Sequence, residues 1–188
     1  MSKIIILDAH PSQKSLSDTL AKAAADGAGN AGHEVKPFRI SAMDFETDLL
    51  HGHHTAQPSE PDIVAFQQAL VWADTLLLVH PLWWGGPPAK LKALFDRALL
   101  PDFAFRYLPG KTTPEKLLTG KSAHLILTSD SPAWYLKWLA NGWVKTLNQQ
   151  ILGFCGFSKT RVTYIGPVRR MDDKARRKAA LTAAALFK

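Results

Sequence analysis

Short apolar runs alternate along this chain with segments in which apolar residues recur every three or four positions. The apolar runs predict buried strands over residues 3–9 (KIIILDA), 33–40 (HEVKPFRI), 74–82 (DTLLLVHPL), 122–129 (SAHLILTS) and 160–166 (TRVTYIG). A strand buried on both faces reads as a continuous apolar run because neither of its faces meets water. The segments with helical spacing predict helices over residues 15–30, 61–72, 88–100, 133–152 and from about residue 171.

Strands and helices in strict alternation predict an α/β fold built on a parallel sheet. Pro37 lacks the N–H that a central strand donates, so the second strand is expected at an edge of the sheet. An edge position for this strand fits the strand order 2-1-3-4-5 with right-handed crossovers. No repeat, linker or break in composition divides residues 1–188, so we expect a single domain.

Three loops are expected to meet where a sheet of this order binds ligands, beyond the carboxyl ends of its central strands. They read AHPSQKSLS, HPLWWGGPPA and TSDSPAWY. The first loop has neither a GxGxxG nor a GxxxxGK(S/T) pattern, which leaves a Rossmann dinucleotide site and an ATPase site without support. Its serines and Lys14 precede a helix, where they form either an anion site or an ordinary helix cap.

The second loop places two adjacent indoles at the end of a buried strand. Gly85 and Gly86 allow backbone conformations that other residues resist, and Pro87-Pro88 stiffens the exit into the next helix. The indoles offer flat apolar area with one N–H each. This turn therefore indicates a ligand surface, with packing of both indoles under the next helix as the alternative. The third loop carries small hydroxyl residues, which suit either a planar ligand or an ordinary turn.

Charge and composition limit the functions that are open to the chain. Its net charge is +7, much of it in the last twenty residues. We expect this basic segment to be a solvated helix face, with attraction of an anionic ligand as the alternative. It lacks the interleaved aromatics or module typical of nucleic-acid binding. No window approaches about 18 apolar residues and no signal peptide is visible, so we expect a cytoplasmic protein without membrane insertion.

Cysteine and histidine positions give no indication of metal chemistry. The single cysteine, Cys155, lies in the apolar run ILGFCGF and is expected to be buried and inert. The histidines of HGHH at positions 51–54 lie in a polar segment and are expected to be solvated rather than metal ligands.

The run HPLWWGGPPAKLKALFDRALLPDFAFRY at 80–107 closely resembles the signature region of the flavodoxin-like NAD(P)H:quinone oxidoreductases. The opening IIILDAHP and the segment ILGFCGF resemble the same family, so the resemblance covers most of residues 3–165. It implies a flavodoxin-like three-layer sandwich with a flavin at the carboxyl ends of the strands. The residues that match the family's flavin contacts are His10, Ser15, Leu16, Ser17, Pro81, Leu82, Trp83, Trp84, Thr128, Ser129 and Asp130.

The resemblance also implies which part of the flavin each loop contacts. The first loop holds the flavin phosphate, and the second loop holds the ring, with the side chain of Trp84 bordering it and Trp83 contributing through its backbone. In the third loop, Asp130 and Ser131 stand where the family usually has glycines. Asp130 is therefore expected to place a carboxylate near the flavin and to lower its reduction potential.

Family members are homodimers with shared active sites, which implies a substrate pocket formed by Phe105, Tyr107 and Gly85. Tyr135 matches an active-site aromatic, and it is expected to act alone because the following LKWLANGWVK has no histidine. The resemblance implies ping-pong hydride transfer from NAD(P)H through the flavin to a quinone or a nitro or azo acceptor, without a metal. FMN is favoured over FAD because the chain lacks the C-terminal extension of the long mammalian members.

Two other functions remain open on the sequence. One is a flavin-binding ancillary subunit of a potassium efflux system, with the basic C-terminal helix facing an acidic partner. The other is a flavin-free nucleotide-binding or hydrolytic protein, because a fold does not by itself fix a function.

Overall fold

A five-stranded parallel sheet forms the centre of the computed structural model, which describes residues 1–52, 55, 57–158 and 160–188. Its strands are β1 (Lys3–Asp8), β2 (Glu34–Arg39), β3 (Thr75–Pro81), β6 (Ser122–Thr128) and β7 (Arg161–Ile165). They lie in the order β2-β1-β3-β6-β7, so the predicted order 2-1-3-4-5 is confirmed. The strand that contains Pro37 lies at an edge. Two-residue strands β4 (Phe105–Arg106) and β5 (Glu115–Lys116) form a small antiparallel pair outside this sheet.

Side chains of each central strand point alternately to two apolar clusters, one on each face of the sheet. Ile5 and Leu7 of β1 join one cluster with residues of the second and third helices, whereas Ile4 and Ile6 join the other. The helices are α1 (Leu16–Asn30), α2 (Pro61–Trp72), α3 (Ala89–Ala98), α4 (Ala133–Trp138), α5 (Gly142–Thr146), α6 (Leu152–Cys155) and α7 (Asp173–Ala184). Helices α1 and α7 pack together on the second face, which gives the three layers expected.

Helix boundaries follow local chemistry. The Ser15 hydroxyl accepts a hydrogen bond from the N–H of Asp18 at 3.0 Å and caps α1. The Asp172 carboxylate accepts from the N–H of Ala175 at 2.7 Å and caps α7. The last helix therefore starts at Asp173, two residues after Met171, where the sequence placed its start.

The continuous helix predicted over residues 133–152 is wrong. Helix α4 ends at Trp138, α5 covers Gly142–Thr146, and a π-helical turn over Leu147–Ile151 precedes α6. Asn141 leaves helical geometry, with φ −96° and ψ 13°, and its side-chain amide donates to the carbonyl of Lys137 at 3.1 Å. Asparagine and glycine are poor helix formers, and this hydrogen bond accompanies the break between α4 and α5, although apolar spacing continues beyond it. The segment KTTPEKLLTG, predicted as a surface loop, contributes β5.

Two glycines of α1 test the packing of α1 against α7. A Cβ at Gly27 would lie 2.0 Å from the carbonyl oxygen of Ala184, whereas a Cβ at Gly29 would meet no atom within 4 Å. We expect Gly27→Ala to lower the free energy of unfolding by about 2–3 kcal/mol, because the two helices must separate. Gly29→Ala is the matched control and should raise stability by up to about 1 kcal/mol through helix propensity. Equal urea midpoints for the two variants would contradict the packing described.

Candidate functional site

A crevice of about 300 Å³ opens at the carboxyl ends of the central strands. Its walls come from the loops after β1, β3 and β6, with two residues from the C-terminal segment. The lining residues are His10, Lys14, Ser15, Leu16, Ser17, Pro81, Leu82, Trp83, Thr128, Ser129, Asp130, Val168 and Arg176. The sheet thus brings together all of the predicted flavin-contact residues except Trp84.

The first loop is held by hydrogen bonds within it. The Asp8 carboxylate accepts from the N–H of His10 at 3.1 Å, and the His10 ring nitrogen Nδ1 accepts from the N–H of Ser12 at 2.9 Å. The chain then enters α1 at Leu16. The first N–H groups of a helix have no partner inside it, so those of Leu16 and Ser17 are available to a ligand in the crevice.

Ser17 has a buried hydroxyl without a partner. The residue is 1% exposed, and its Oγ finds no hydrogen bond among the described residues. Leaving a buried hydroxyl unpaired costs about 1–3 kcal/mol, so its presence on a crevice wall indicates a ligand that bonds to it. Lys14 and Arg176 add positive charge to the same crevice. The helix N-terminus, the hydroxyl and the two cations together form a site suited to an anion.

The second loop is a two-residue turn closed by paired backbone bonds. The N–H of Trp83 donates to the carbonyl of Gly86 at 2.9 Å, and the N–H of Gly86 donates back to Trp83 at 2.9 Å. Trp84 and Gly85 both have positive φ, 50° and 75°, as a type I′ turn requires. Left-handed backbone is uncommon for a bulky residue such as tryptophan, so the surrounding bonds must hold this turn in place.

The turn places its two indoles in different surroundings from those expected. Trp83 is half-exposed and lines the crevice, with its ring 5.7 Å from that of His10 in an edge-on contact. Trp84 is fully exposed, and neither it nor Gly85 lines the crevice. A positive φ at Trp84 turns its side chain away from the strand end, which the sequence does not reveal. Trp83, not Trp84, is therefore the indole available to a ligand in this crevice.

The third loop carries a paired carboxylate. Asp130 lines the crevice, and its carboxylate oxygens accept from the N–H of Arg169 at 2.9 Å and contact Arg169 Nε at 2.9 Å. The Arg169 side chain is 88% exposed, so this is a solvent-exposed ion pair. The effect of Asp130 on the reduction potential of a flavin stays a prediction.

A buried histidine lies directly before the second loop. His80 is fully buried; its Nδ1 lies 2.7 Å from the Pro81 carbonyl oxygen, and its Nε2 lies 3.1 Å from the indole Nε1 of Trp143. A carbonyl only accepts and an indole N–H only donates, so Nδ1 carries the proton and Nε2 accepts. Burial lowers the pKa of His80 to about 4, although the hydrogen bond to Pro81 partly opposes the shift. No sequence pattern singles out this pair.

Other predicted site residues lie outside the crevice. Tyr135 is 40% exposed, and its ring lies edge-on to that of Trp134 with the ring centroids 6.0 Å apart. Phe105 packs between Phe154 and Tyr107, with ring centroids 4.9 and 5.7 Å away. The predicted residues Phe105, Tyr107 and Tyr135 do not line the crevice of their own chain. The sequence patterns also do not single out Val168 or Arg176, although the basic charge near residue 176 is the signal for an anionic ligand.

Remaining predictions concern metal, membrane and cysteine. Within the described part of the chain, no three histidine, cysteine or acidic residues are close enough to hold a metal ion. His53 and His54 of the HGHH segment lie outside the described residues. None of the helices that the structure describes is both long and apolar enough to cross a membrane. Cys155 is buried as predicted, and burial raises the pKa of its thiol to about 11.

Comparison with known proteins places the chain among flavodoxin-like proteins. The family model Flavodoxin_2, described as a flavodoxin-like fold, matches residues 2–186. The chain is 30% identical over 180 residues to ribosyldihydronicotinamide dehydrogenase (quinone) of Mus musculus, covering 82% of this chain and 77% of that protein. It is 30% identical over 183 residues to an uncharacterized NAD(P)H oxidoreductase of Haemophilus influenzae, covering 92% and 88%. The crystal structure of Smu.1420 from Streptococcus mutans UA159 superposes with a TM-score of 0.81 at 27% identity, covering 98% and 97%.

The pKa of His80 predicts a specific dependence of stability on pH. The folded pKa of about 4 lies below the ordinary value of 6.5, so between these values the unfolded chain binds the extra proton. Stability from this group is complete above pH 6.5 and is lost as pH falls toward 4, by about 3 kcal/mol in all. In urea unfolding at pH 7 and pH 4.5, we expect wild type to lose about 2 kcal/mol more than His80→Asn. Equal losses for the two proteins would show that His80 does not stay neutral.

Proposed function

The chain belongs to the Flavodoxin_2 family, and we propose that it is a flavin-dependent NAD(P)H oxidoreductase that reduces quinones or related nitro and azo compounds by two electrons. The relatives named as quinone dehydrogenase and NAD(P)H oxidoreductase support this proposal. The structural observation that supports it most strongly is the composition of the crevice at the carboxyl ends of the strands. An anion site and the indole of Trp83 line the same crevice, and the anion site includes the buried Ser17 hydroxyl, which has no partner among the described residues.

The residues of the crevice fit a flavin mononucleotide. The N–H groups of Leu16 and Ser17, the hydroxyl of Ser17 and the guanidinium of Arg176 would hold the phosphate. Trp83 would lie against the ring, because its flat apolar surface faces the crevice. We propose FMN rather than FAD, because the anion site at the start of α1 suits the terminal phosphate that FMN carries.

When bound, the flavin supplies the redox chemistry, by which we propose that a hydride from NAD(P)H reaches the acceptor in two alternating half-reactions. The residues of the chain contribute binding and orientation. Pro81 and Leu82 add apolar surface to the lining of the crevice. The hydrogen bond from the N–H of Leu82 to the carbonyl of Thr128, at 2.8 Å, joins the second and third loops and fixes the width between them.

We further propose that the substrate pocket is completed in a homodimer. Tyr107, Trp134, Tyr135 and Trp138 are exposed aromatic side chains, and such residues are enriched in interfaces. Tyr135 has a hydroxyl that could hold a proton beside the reacting groups, but it does not line its own crevice. Phe105, Tyr107 and Tyr135 would therefore complete the site of the partner subunit.

Variants of the two serines at the start of α1 test ligand binding and folding stability separately. The Ser15 hydroxyl caps the helix, whereas that of Ser17 has no partner among the described residues. Ser17→Ala should weaken FMN binding at least tenfold, because a charge-assisted hydrogen bond is worth about 1.5–3 kcal/mol. It should leave the flavin-free protein at least as stable as wild type, because it removes a buried hydroxyl that has no partner among the described residues. Ser15→Ala should instead lower the free energy of unfolding by about 1 kcal/mol. Wild-type FMN affinity in Ser17→Ala would contradict the proposed phosphate site.

Cofactor identity and turnover test the proposed function directly. Flavin released from the purified protein by heat and separated by chromatography should be FMN, at about one molecule per chain. The flavin-loaded protein should oxidise one equivalent of NADPH or NADH per flavin by itself and turn over repeatedly only when a benzoquinone or an azo dye is present. Double-reciprocal plots at several acceptor concentrations should be parallel, as two half-reactions require. A protein that takes up neither FMN nor FAD and turns over no acceptor would overturn the proposal and favour a flavin-free nucleotide-binding protein.

A further inference from the structure

The end of β3 is tied to α5 through two buried aromatic side chains. His80 is 0% exposed and Trp143 is 6% exposed. Their rings meet edge-on, with centroids 5.9 Å apart and planes inclined by 72°. Neither side chain lines the crevice, but Pro81 and Leu82, which follow His80 directly, do. The pair therefore lies behind the wall that faces the proposed cofactor.

The chemistry of the three groups allows only one arrangement of the bridge. The Pro81 carbonyl accepts from His80 Nδ1 at 2.7 Å, and the Trp143 indole donates to His80 Nε2 at 3.1 Å. Protonation at Nε2, or transfer of the proton from Nδ1 to Nε2, would set an N–H against the indole N–H. The ring therefore works as a rigid link between a carbonyl on one element and an indole on another.

This link holds the point from which the second loop leaves the sheet. Proline has no N–H, so the Pro81 carbonyl is the only backbone hydrogen-bonding group of that residue, and His80 restrains it. The next residue, Leu82, is restrained by its bond to the carbonyl of Thr128. The turn that follows includes Trp84 at a φ of 50°, a conformation that persists only when its surroundings enforce it.

Trp143 connects the same point to the segment that carries the proposed substrate-facing aromatics. It belongs to α5, which begins at Gly142, shortly after Trp134, Tyr135 and Trp138 of α4. The bridge spans 63 residues of sequence. It joins the wall that faces the cofactor to the segment that carries Tyr135.

We propose that His80 is a positioning residue, which fixes the Pro81–Gly86 turn by bridging the Pro81 carbonyl and the Trp143 indole and thereby sets the affinity and orientation of the flavin. The part that concerns the flavin rests on the proposed function. The part that concerns the turn does not, so the two can be tested separately.

Hydrogen exchange tests the link without any cofactor. Trp143→Phe keeps an aromatic ring in place and removes only the indole N–H that bonds to His80. Trp72→Phe is the matched control, since Trp72 lies at the end of α2 beneath the ammonium groups of Lys3 and Lys36. In the flavin-free protein, exchange of the hydrogen-bonded amides of Leu82, Trp83 and Gly86 should be about tenfold faster in Trp143→Phe than in wild type or Trp72→Phe. Unchanged exchange in these amides would overturn the proposal.

Cofactor binding tests the consequence. His80→Asn, Trp143→Phe and the double variant should each bind FMN about tenfold more weakly than wild type, because any of them breaks the same bridge. The visible circular dichroism of the bound flavin should change in the same way in all three, which reports its orientation. Independent, multiplying losses in the double variant would overturn the proposal. If wild type binds no FMN while Trp143→Phe still accelerates exchange at the amides of Leu82, Trp83 and Gly86, the positioning role stands and the proposed function fails.

Discussion

The crevice exists because strand β1 ends two residues earlier in the sheet than its neighbours β3 and β6. The register pairs Asp8 of β1 with Val79 of β3, and Pro81 of β3 with Thr128 of β6. Strand β1 therefore leaves the sheet beside Val79, while β3 and β6 continue for two more residues. The resulting step leaves a gap above the end of β1, which the first loop and the start of α1 border. The first and second loops of the candidate site therefore leave the sheet at different levels.

Two buried polar side chains lie at the strand ends beneath the crevice. The end of β3 carries a neutral histidine held by two fixed partners, and the end of β1 carries the carboxylate of Asp8, whose pKa is raised by burial. The positive groups, Lys14 and Arg176, lie at the crevice itself together with the N-terminus of α1. The one carboxylate of the third loop, Asp130, is paired with Arg169. This arrangement favours a ligand with an anionic group at the start of α1 and an apolar part against the second loop. A flavin nucleotide has both of these parts.

Sequence patterns predict the sheet and the first loop because the signals are local. Continuous apolar runs mark the buried strands, Pro37 marks the edge strand, and Ser15 marks the start of α1. The break in the helix predicted over 133–152 could not be foreseen, because apolar spacing continues past Asn141. A side-chain hydrogen bond from Asn141 accompanies this break. The roles of Trp83 and Trp84 depend on a positive φ at one residue of the turn. The bond between His80 and Trp143, and the approach of Arg176 to the first loop, join positions far apart in sequence, so only the fold brings them together.

The central claim is that the start of α1 binds the phosphate of a flavin whose ring lies against the second loop. Titration of the flavin-free protein with FMN and with riboflavin, followed by flavin fluorescence, tests this claim most directly because the two ligands differ only in the phosphate. FMN should bind at least a hundredfold more tightly than riboflavin, since a phosphate at a helix N-terminus gains several charge-assisted hydrogen bonds. Equal affinity for the two ligands would contradict this claim.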